Sequence, residues 1–206
     1  MGRRSVHTPE ELREHIIKAA TELITTQGLS GLSAREVARR IGYSPGTIYN
    51  VFVNLDDLVL TIEARMLDEL DAALQELPTA QDPREHLLQL AETYLRFTHQ
   101  NPRLWNLLFE HHLPASFDVP PDYRDKLDGL LARIENALRP LAHAANQDEL
   151  KRRSRVLWAG VHGITSLSTA DKLSSITAEA AWPLVKDLIE TYLNGLNNPE
   201  ILVSAG

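Results

Sequence analysis

Apolar residues recur every three or four positions along most of this chain, which is the spacing of one face of an α-helix. The first such series lies between Thr8 and Gly28 and consists of Leu12, Ile16, Ala19, Ala20, Leu23 and Ile24. No stretch alternates polar and apolar residues between turn signals, as a half-buried β-strand would. The pattern therefore predicts an all-α fold of about nine helices.

Helix-start signals divide the N-terminal part of the chain into four helices. Residues 8–11 and 33–36 each place a hydroxyl residue three positions before a glutamate, the arrangement of a capping box. We expect Ser44 to cap a short third helix, because a serine oxygen accepts hydrogen bonds from free helix N–H groups. Residues 54–57 repeat the box with asparagine and aspartate, and they open a long fourth helix that reaches about residue 77.

Proline and asparagine residues mark the later boundaries, and the stretch 78–83 separates the N-terminal part from the rest. Further helices are predicted near 83–100, 102–112, 121–141, 147–173 and 178–195. Pro183 falls inside the last of these and is expected to bend it, because proline lacks the N–H of a helix bond. The chain is thereby divided into an N-terminal domain (1–53), a connecting helix and boundary (54–82) and a C-terminal domain (83–206).

The second and third predicted helices form the most informative feature. Gly42 permits a sharp turn between them, and Ile48 and Phe52 are spaced to face inward. The polar side chains that project outward are Thr47, Tyr49 and Asn50. A short helix with polar side chains at its start has the shape that enters a DNA major groove. The same shape occurs in helical hairpins that never contact DNA, so spacing alone leaves both interpretations open.

Composition narrows the class of protein. The chain has 206 residues, of which 43% are hydrophobic and 24% are charged, enough for one or two domains with a sizeable core. It contains no cysteine, which excludes disulfides, thiolate metal sites and thiol catalysis. No apolar run is long enough to span a bilayer, and the first residues lack the apolar segment of a signal peptide. We therefore expect no membrane contact and a cytoplasmic location.

The distribution of charge is uneven. The net charge of −7 argues at first against a nucleic-acid partner. Residues 1–50, however, carry seven lysines and arginines against five glutamates, and the acidic excess lies in the later residues. A basic module on an acidic body is compatible with DNA binding, because the local field attracts phosphate.

A run of residues between 9 and 58 carries a family pattern. Its matching positions are residues 16–23, Gly28, residues 32–38, residues 41–42, Ser44, residues 46–49 and Phe52. This run resembles the DNA-binding domain of TetR-family transcriptional regulators, which implies a three-helix helix-turn-helix domain followed by a helical ligand-binding and dimerisation domain. The resemblance also implies a set of DNA contacts. Its members are Ser33, Arg35, Ser44, Pro45, Gly46, Thr47, Tyr49 and Asn50.

Two positions depart from the family pattern. Leu55 stands where the family usually has a lysine, which removes one expected phosphate contact. Asn50 stands where a histidine commonly follows the tyrosine, and asparagine can pair with adenine through two hydrogen bonds. The resemblance to the family holds despite both differences.

The resemblance implies a homodimer formed through the last two helices and a pocket for a small-molecule effector. The apolar faces of helices 147–173 and 178–195 consist of Leu157, Val161, Ile164, Leu167, Leu184, Leu188, Ile189 and Leu193. Trp158 and the pair His162-Gly163 resemble the signature of a TetR C-terminal subfamily named for tryptophan and histidine-glycine. Core packing is the favoured role for Trp158 and His162, with direct ligand contact as the alternative.

Aromatic and aliphatic residues with a few polar groups form the candidate effector pocket. Its members are Tyr94, Phe97, Trp105, Phe109, His112, Ile134, Trp158 and His162. Such a mixture suits an apolar or amphipathic small molecule.

Signals for catalysis, metals and cofactors are weak. His111 and His112 are adjacent, so they point to different sides of a helix, and the eight histidines show no metal-ligand spacing. No nucleophile elbow or phosphate-binding glycine loop occurs. The basic run 151–155 is interpreted as exposed charge at a helix start. We expect no enzymatic activity, no metal and no cofactor.

The leading hypothesis is a ligand-responsive repressor that binds a palindromic double-stranded DNA operator as a homodimer. The alternative is a helical small-molecule-binding protein or enzyme with a vestigial DNA-binding head, which only Leu55 and the negative net charge support. Activation instead of repression stays open within the first hypothesis.

Overall fold

The computed structural model describes residues 7–78, 80–114, 117–142, 145–175, 177 and 180–196. These residues form α-helices and two short 3-10 helices, and none of them lies in a β-strand. The α-helices are α1 (Pro9–Gln27), α2 (Ala34–Ile41), α3 (Pro45–Tyr49), α4 (Leu55–Gln75), α5 (Pro83–Gln100), α6 (Pro102–Glu110), α7 (Pro121–Leu138), α8 (Gln147–Thr169) and α9 (Ala181–Leu196). The prediction of an all-α fold is confirmed.

The chain folds into two compact units, and each unit is made of two separate segments of the sequence. The first unit runs to Leu67 and also contains Arg103–Tyr123, so it includes α1 to α3, the first part of α4, all of α6 except Pro102, and the start of α7. The second unit contains Asp68–Pro102 and the chain from Arg124 onward, and therefore α5, most of α7, α8 and α9. Helix α4 contributes residues to both units.

The first unit is organised around one apolar core. Leu23 and Ile24 of α1, Val37 of α2 and Ile48 of α3 are all fully buried in it, and Phe52 is 1% exposed. Residues of α4 and α6 complete this core, namely Leu58, Ile62 and Leu107. The prediction that Ile48 and Phe52 face inward is confirmed.

Local signals explain where α1 begins. The Thr8 hydroxyl accepts a hydrogen bond from the Glu11 backbone N–H at 3.2 Å. The Glu11 carboxylate in turn accepts from the Thr8 backbone N–H at 2.8 Å. Both halves of the predicted capping box are therefore present, and two otherwise free N–H groups are satisfied.

The predicted bend at Pro183 is wrong because the last helix begins later than expected. Helix α9 starts at Ala181, so Pro183 lies in its first turn. The N–H groups of a first turn have no acceptor within the helix, and proline removes none of its bonds there. Helix α7 likewise ends at Leu138 and not near residue 141, because Pro140 disfavours helical backbone at the residue before it.

Helices α8 and α9 pack closely in the second unit. A Cβ atom added to Gly160 would lie 2.8 Å from Leu188 Cδ2, so the glycine allows α9 to approach α8. Four residues that the sequence assigned to a partner-facing surface are buried within the chain's own core. They are Leu157, Val161, Ile189 and Leu193. Throughout the described parts of both units, no helix is long and apolar enough to cross a membrane.

The core of the first unit predicts a contrast between two identical substitutions. Val37 is fully buried and Val53 is 85% exposed. We expect Val37→Ala to lower the free energy of unfolding by about 2 kcal/mol, because it removes two buried methyl groups and leaves a cavity. We expect Val53→Ala to change it by less than about 0.5 kcal/mol. Urea unfolding followed by circular dichroism measures both, and equal losses would contradict the assigned core.

Candidate nucleic-acid interface

The turn between α2 and α3 is built around Gly42. Its backbone has a φ of 76°, in the left-handed region that favours glycine. The backbone N–H groups of Gly42 and Tyr43 both donate to the Ala38 carbonyl, the second at 2.9 Å. These bonds satisfy the end of α2 and turn the chain sharply, so that α3 starts only a few residues later.

Helix α2 begins at a true serine cap. The Ser33 hydroxyl accepts a hydrogen bond from the Glu36 backbone N–H at 3.2 Å. The Glu36 carboxylate also binds Arg39, with the Arg39 Nε 2.9 Å from Glu36 Oε2. Arg35 is exposed and forms no ion pair with any residue that the structure describes. Arg35 therefore stays available for the phosphate contact that the sequence predicts.

Ser44 occupies the cap position of α3 but does not cap it, which corrects the sequence-based expectation. A capping serine hydroxyl would accept a hydrogen bond from the Thr47 backbone N–H. Here that N–H donates to the Ser44 backbone carbonyl at 3.0 Å. The Ser44 hydroxyl instead lies 3.1 Å from the Thr47 hydroxyl. This short helix has one turn, and its tight backbone bond takes the place of the side-chain cap.

The outward face of α3 is exposed and polar. Tyr49 is 53% exposed, and Thr47 is half-buried. The other predicted contact residues at this helix are exposed, namely Ser44, Pro45, Gly46 and Asn50. Around Gly46 the space is open, since an added Cβ would meet only the Ser44 hydroxyl, at 3.8 Å. All eight predicted DNA-contact residues thus lie on α2, α3 or the residues that bound them.

The start of α4 is fixed by two side-chain hydrogen bonds, of which only the one at Asn54 matches the predicted box. The Asp57 N–H donates to the Asn54 side-chain oxygen at 2.8 Å, and the Val53 N–H donates to the Asp57 carboxylate at 3.0 Å. Leu55 packs partly buried against the core of the first unit. Packing therefore explains a leucine where the family usually has lysine. The sequence did not single out Val53, whose backbone N–H makes one of these two bonds.

The eight predicted pocket residues are divided between the units. Three of them lie together in the second unit: Tyr94 Oη is 2.9 Å from His162 Nδ1, and the rings of His162 and Trp158 stack with centroids 5.2 Å apart. Burial lowers the pKa of His162 below its ordinary 6.5, which favours a neutral ring. Phe97 and Ile134 lie in the same unit and are half-buried.

The other three predicted pocket residues belong to the first unit. Trp105 is buried there, and its ring centroid lies 6.1 Å from that of Phe109, which is 42% exposed. His112 is exposed, and its Nδ1 is 2.8 Å from the Glu110 carbonyl. The grouping of all eight residues into one pocket stays a prediction.

A cavity of about 620 Å³ opens in the second unit, at the C-terminal ends of α5 and α8 and the start of α9. Its apolar lining includes Leu95, Leu173 and Trp182, and its basic lining consists of Arg96 and His99. None of the eight predicted pocket residues lines it. The cavity forms where the ends of three helices meet, so no local spacing in the sequence indicated it.

Comparisons with known proteins agree with this architecture. Residues 16–62 match the profile described as bacterial regulatory proteins of the tetR family. Residues 87–192 match that of the tetracyclin repressor-like C-terminal domain. The more specific resemblance at Trp158 and His162 stays a prediction.

Individual relatives are distant in sequence. An uncharacterised HTH-type transcriptional regulator of Mycobacterium tuberculosis is 21% identical over 87% of this chain and 80% of its own length. The transcriptional activator FasR of Mycolicibacterium smegmatis is 29% identical over 53% of this chain and 51% of its own. A TetR regulator structure from Streptomyces coelicolor has a TM-score of 0.65 at 17% identity, covering 89% of this chain and 96% of that one.

The two serines at helix starts predict different effects on stability. Ser33→Ala removes the hydrogen bond to the Glu36 N–H and should lower the free energy of unfolding by about 1 kcal/mol. Ser44→Ala removes no bond to a backbone N–H, so it should lower the free energy of unfolding by only a few tenths of ~1 kcal/mol. Urea titrations of both variants beside the unchanged protein provide the test. A larger loss for Ser44→Ala would contradict the capping geometry.

Proposed function

Because the chain belongs to the TetR family of bacterial transcriptional regulators, we propose that it is a ligand-responsive homodimeric repressor of a palindromic operator. The observation that carries the proposal is the two-sided character of α3. Ile48 is fully buried, while Tyr49 and Asn50 beside it are exposed. A helix held from behind in this way presents its polar groups at fixed positions, as readout of base edges requires.

The polar groups around α3 divide into two kinds of DNA contact. Asn50 can donate to and accept from one adenine, which makes it the candidate for base readout. Arg35 and the hydroxyls of Ser33 and Ser44 are candidates for phosphate contacts, which set position and not sequence. The open space around Gly46 supports a close approach of the DNA backbone.

An exposed apolar stripe on α8 supports the homodimer. Val156 is 55% exposed and Leu167 is 38% exposed, and Ala159 and Gly163 between them are exposed as well. Their spacing of three, four and four residues places them on one face of the helix. An added Cβ at Gly163 would meet nothing within 4 Å, so a partner helix can approach closely there. The two DNA-binding domains of such a dimer would contact successive major grooves. The two-fold symmetry of the dimer then accounts for a palindromic operator.

The cavity in the second unit supports the effector. Its volume of about 620 Å³ lies within the range of small-molecule sites, roughly 300–1,000 Å³. An apolar lining that also contains Glu92, Arg96 and Asp171 suits an amphipathic molecule with a polar end. An effector that releases the operator must bind the DNA-free form more tightly, since equal affinity for both forms shifts nothing. One relative is named a transcriptional activator, so a reporter assay is needed to distinguish repression from activation.

The proposal predicts which substitutions weaken DNA binding. Operator fragments are first selected from genomic DNA, and affinity is then measured by fluorescence anisotropy over a range of salt. Thr47→Ala combined with Tyr49→Phe should weaken binding at least tenfold, because a base or sugar-phosphate contact contributes roughly 1–3 kcal/mol. Arg35→Ala should weaken binding and reduce the slope against log salt by about 1, as loss of one phosphate contact does.

A charge-matched control completes this experiment. Arg152→Ala removes an exposed arginine from α8 of the second unit, and it should leave affinity and salt slope unchanged. Unchanged binding by the Thr47 and Tyr49 double variant would refute the assignment of α3 as the reading helix.

A further inference from the structure

A histidine at the C-terminal end of α6 lies between two carboxylates of α4. The His111 side chain is 7% exposed. Its Nδ1 is 3.1 Å from Glu63 Oε1, and its Nε2 is 3.1 Å from Asp56 Oδ1. Both ring nitrogens are therefore engaged with carboxylate oxygens, and the two acids lie seven residues apart on α4. All three residues belong to the first unit.

A tyrosine completes this cluster. Tyr123 is 8% exposed, and its hydroxyl donates to Glu63 Oε2 at 2.9 Å. Burial, reinforced by the charge of Glu63, raises the pKa of Tyr123, so the phenol keeps its proton and acts only as a donor to this carboxylate. Glu63 itself is 2% exposed. One of its carboxylate oxygens bonds to His111 and the other to Tyr123.

The donor count determines the charge of His111. A neutral imidazole has one N–H donor and one bare acceptor nitrogen, whereas an ionised carboxylate only accepts. A neutral ring would therefore place a lone pair against one of the two carboxylates at 3.1 Å. With both carboxylates ionised, only the imidazolium form satisfies both contacts. The hydrogen bond to Glu63 raises the pKa of His111 above its ordinary 6.5, and the hydrogen bond to Asp56 acts in the same direction. Burial opposes both but does not cancel them.

The cluster is directly connected to the residues that follow the reading helix. Asp56 lies in the first turn of α4, beside Asp57, whose carboxylate accepts from the Val53 N–H at 3.0 Å. Val53 comes four residues after Tyr49, the last residue of α3. A group that holds Asp56 therefore also holds the start of α4 and the chain segment leading back to α3.

We propose that His111 is a positioning residue for DNA binding, whose imidazolium ties the first turns of α4 to the end of α6 and makes operator affinity depend on protonation. This inference rests on the proposed function. The groups that face the ring are Asp56 and Glu63 from α4, with Tyr123 from α7 behind Glu63. The neighbouring charged side chains of α6, Glu110 and His112, are exposed.

The sign of the pH dependence follows from the raised pKa. The folded state holds the His111 proton more tightly than the unfolded chain does, so its stabilising contribution is fully present below about pH 6.5. The contribution is lost as the pH rises through the pKa of His111 in the folded protein. Operator affinity should fall over the same pH interval.

Two neighbouring histidines provide a matched pair for the test. Operator affinity of the full chain is measured by fluorescence anisotropy between pH 6 and pH 9 at constant salt. The unchanged protein should lose affinity at least about fivefold across the transition, the lower end of ordinary coupling between sites. His111→Gln, which cannot carry the second proton, should bind weakly at every pH with no such transition. His112→Gln should retain the full transition.

A second variant keeps the test decisive if His111→Gln does not fold. Glu63→Gln retains the size of the side chain and removes its charge, so the transition should move to lower pH. A nuclear magnetic resonance titration of the His111 ring in both proteins reports this shift without DNA. The inference is overturned if operator binding is present but His111→Gln keeps the pH transition of the unchanged protein. Absence of DNA binding at every pH would instead overturn the proposed function, and this inference with it.

Discussion

The burial of Ile48 and Phe52 beneath α1 and α2 is the contact on which the DNA-facing surface depends. Helix α3 has five residues, far below the length of about 12–15 at which isolated helices become even marginally stable in water. Its conformation and its direction therefore come from packing. Phe52 is also covered by the Arg13 guanidinium, whose carbon lies 4.4 Å from the ring centroid. With its back face fixed, the helix presents Tyr49 and Asn50 outward.

The start of α4 shows how the chain combines packing with polar anchoring. Leu55 adds apolar contact to the core where a lysine would have offered a phosphate contact. Hydrogen bonds hold the residues next to Leu55. The Asn54 side chain accepts from the Asp57 N–H, and the Asp56 carboxylate binds His111. This short segment therefore connects the residues that follow α3 to His111, and it is the path by which the proposed protonation of His111 acts on α3.

Local signals in the sequence predicted most of the first unit. The capping box at Thr8, the serine cap at Ser33 and the glycine at residue 42 are interactions between near neighbours, and the structure confirms them. The second half of the box predicted at Ser33 is not formed, because the Glu36 carboxylate binds Arg39. Ser44 was misjudged because a one-turn helix satisfies its N–H through its own backbone. The contacts of His111 lie 48 and 55 residues away and follow no local spacing, so the sequence alone did not indicate them. The cavity beside Arg96 likewise depends on how three helix ends meet.

The most direct test of the central claim places a DNA-cleaving probe beside α3. The chain has no cysteine, so Val53→Cys offers a single thiol for an iron chelate on a side chain that is 85% exposed in the unchanged protein. On a selected operator, we expect two clusters of cuts, symmetric about the centre of the palindrome and separated by about 34–36 Å or a multiple of it. Leu127→Cys on α7, labelled in the same way, should give no localised cleavage. Cleavage from Val53→Cys that is uniform along the DNA, or no stronger than that from Leu127→Cys, would contradict the account.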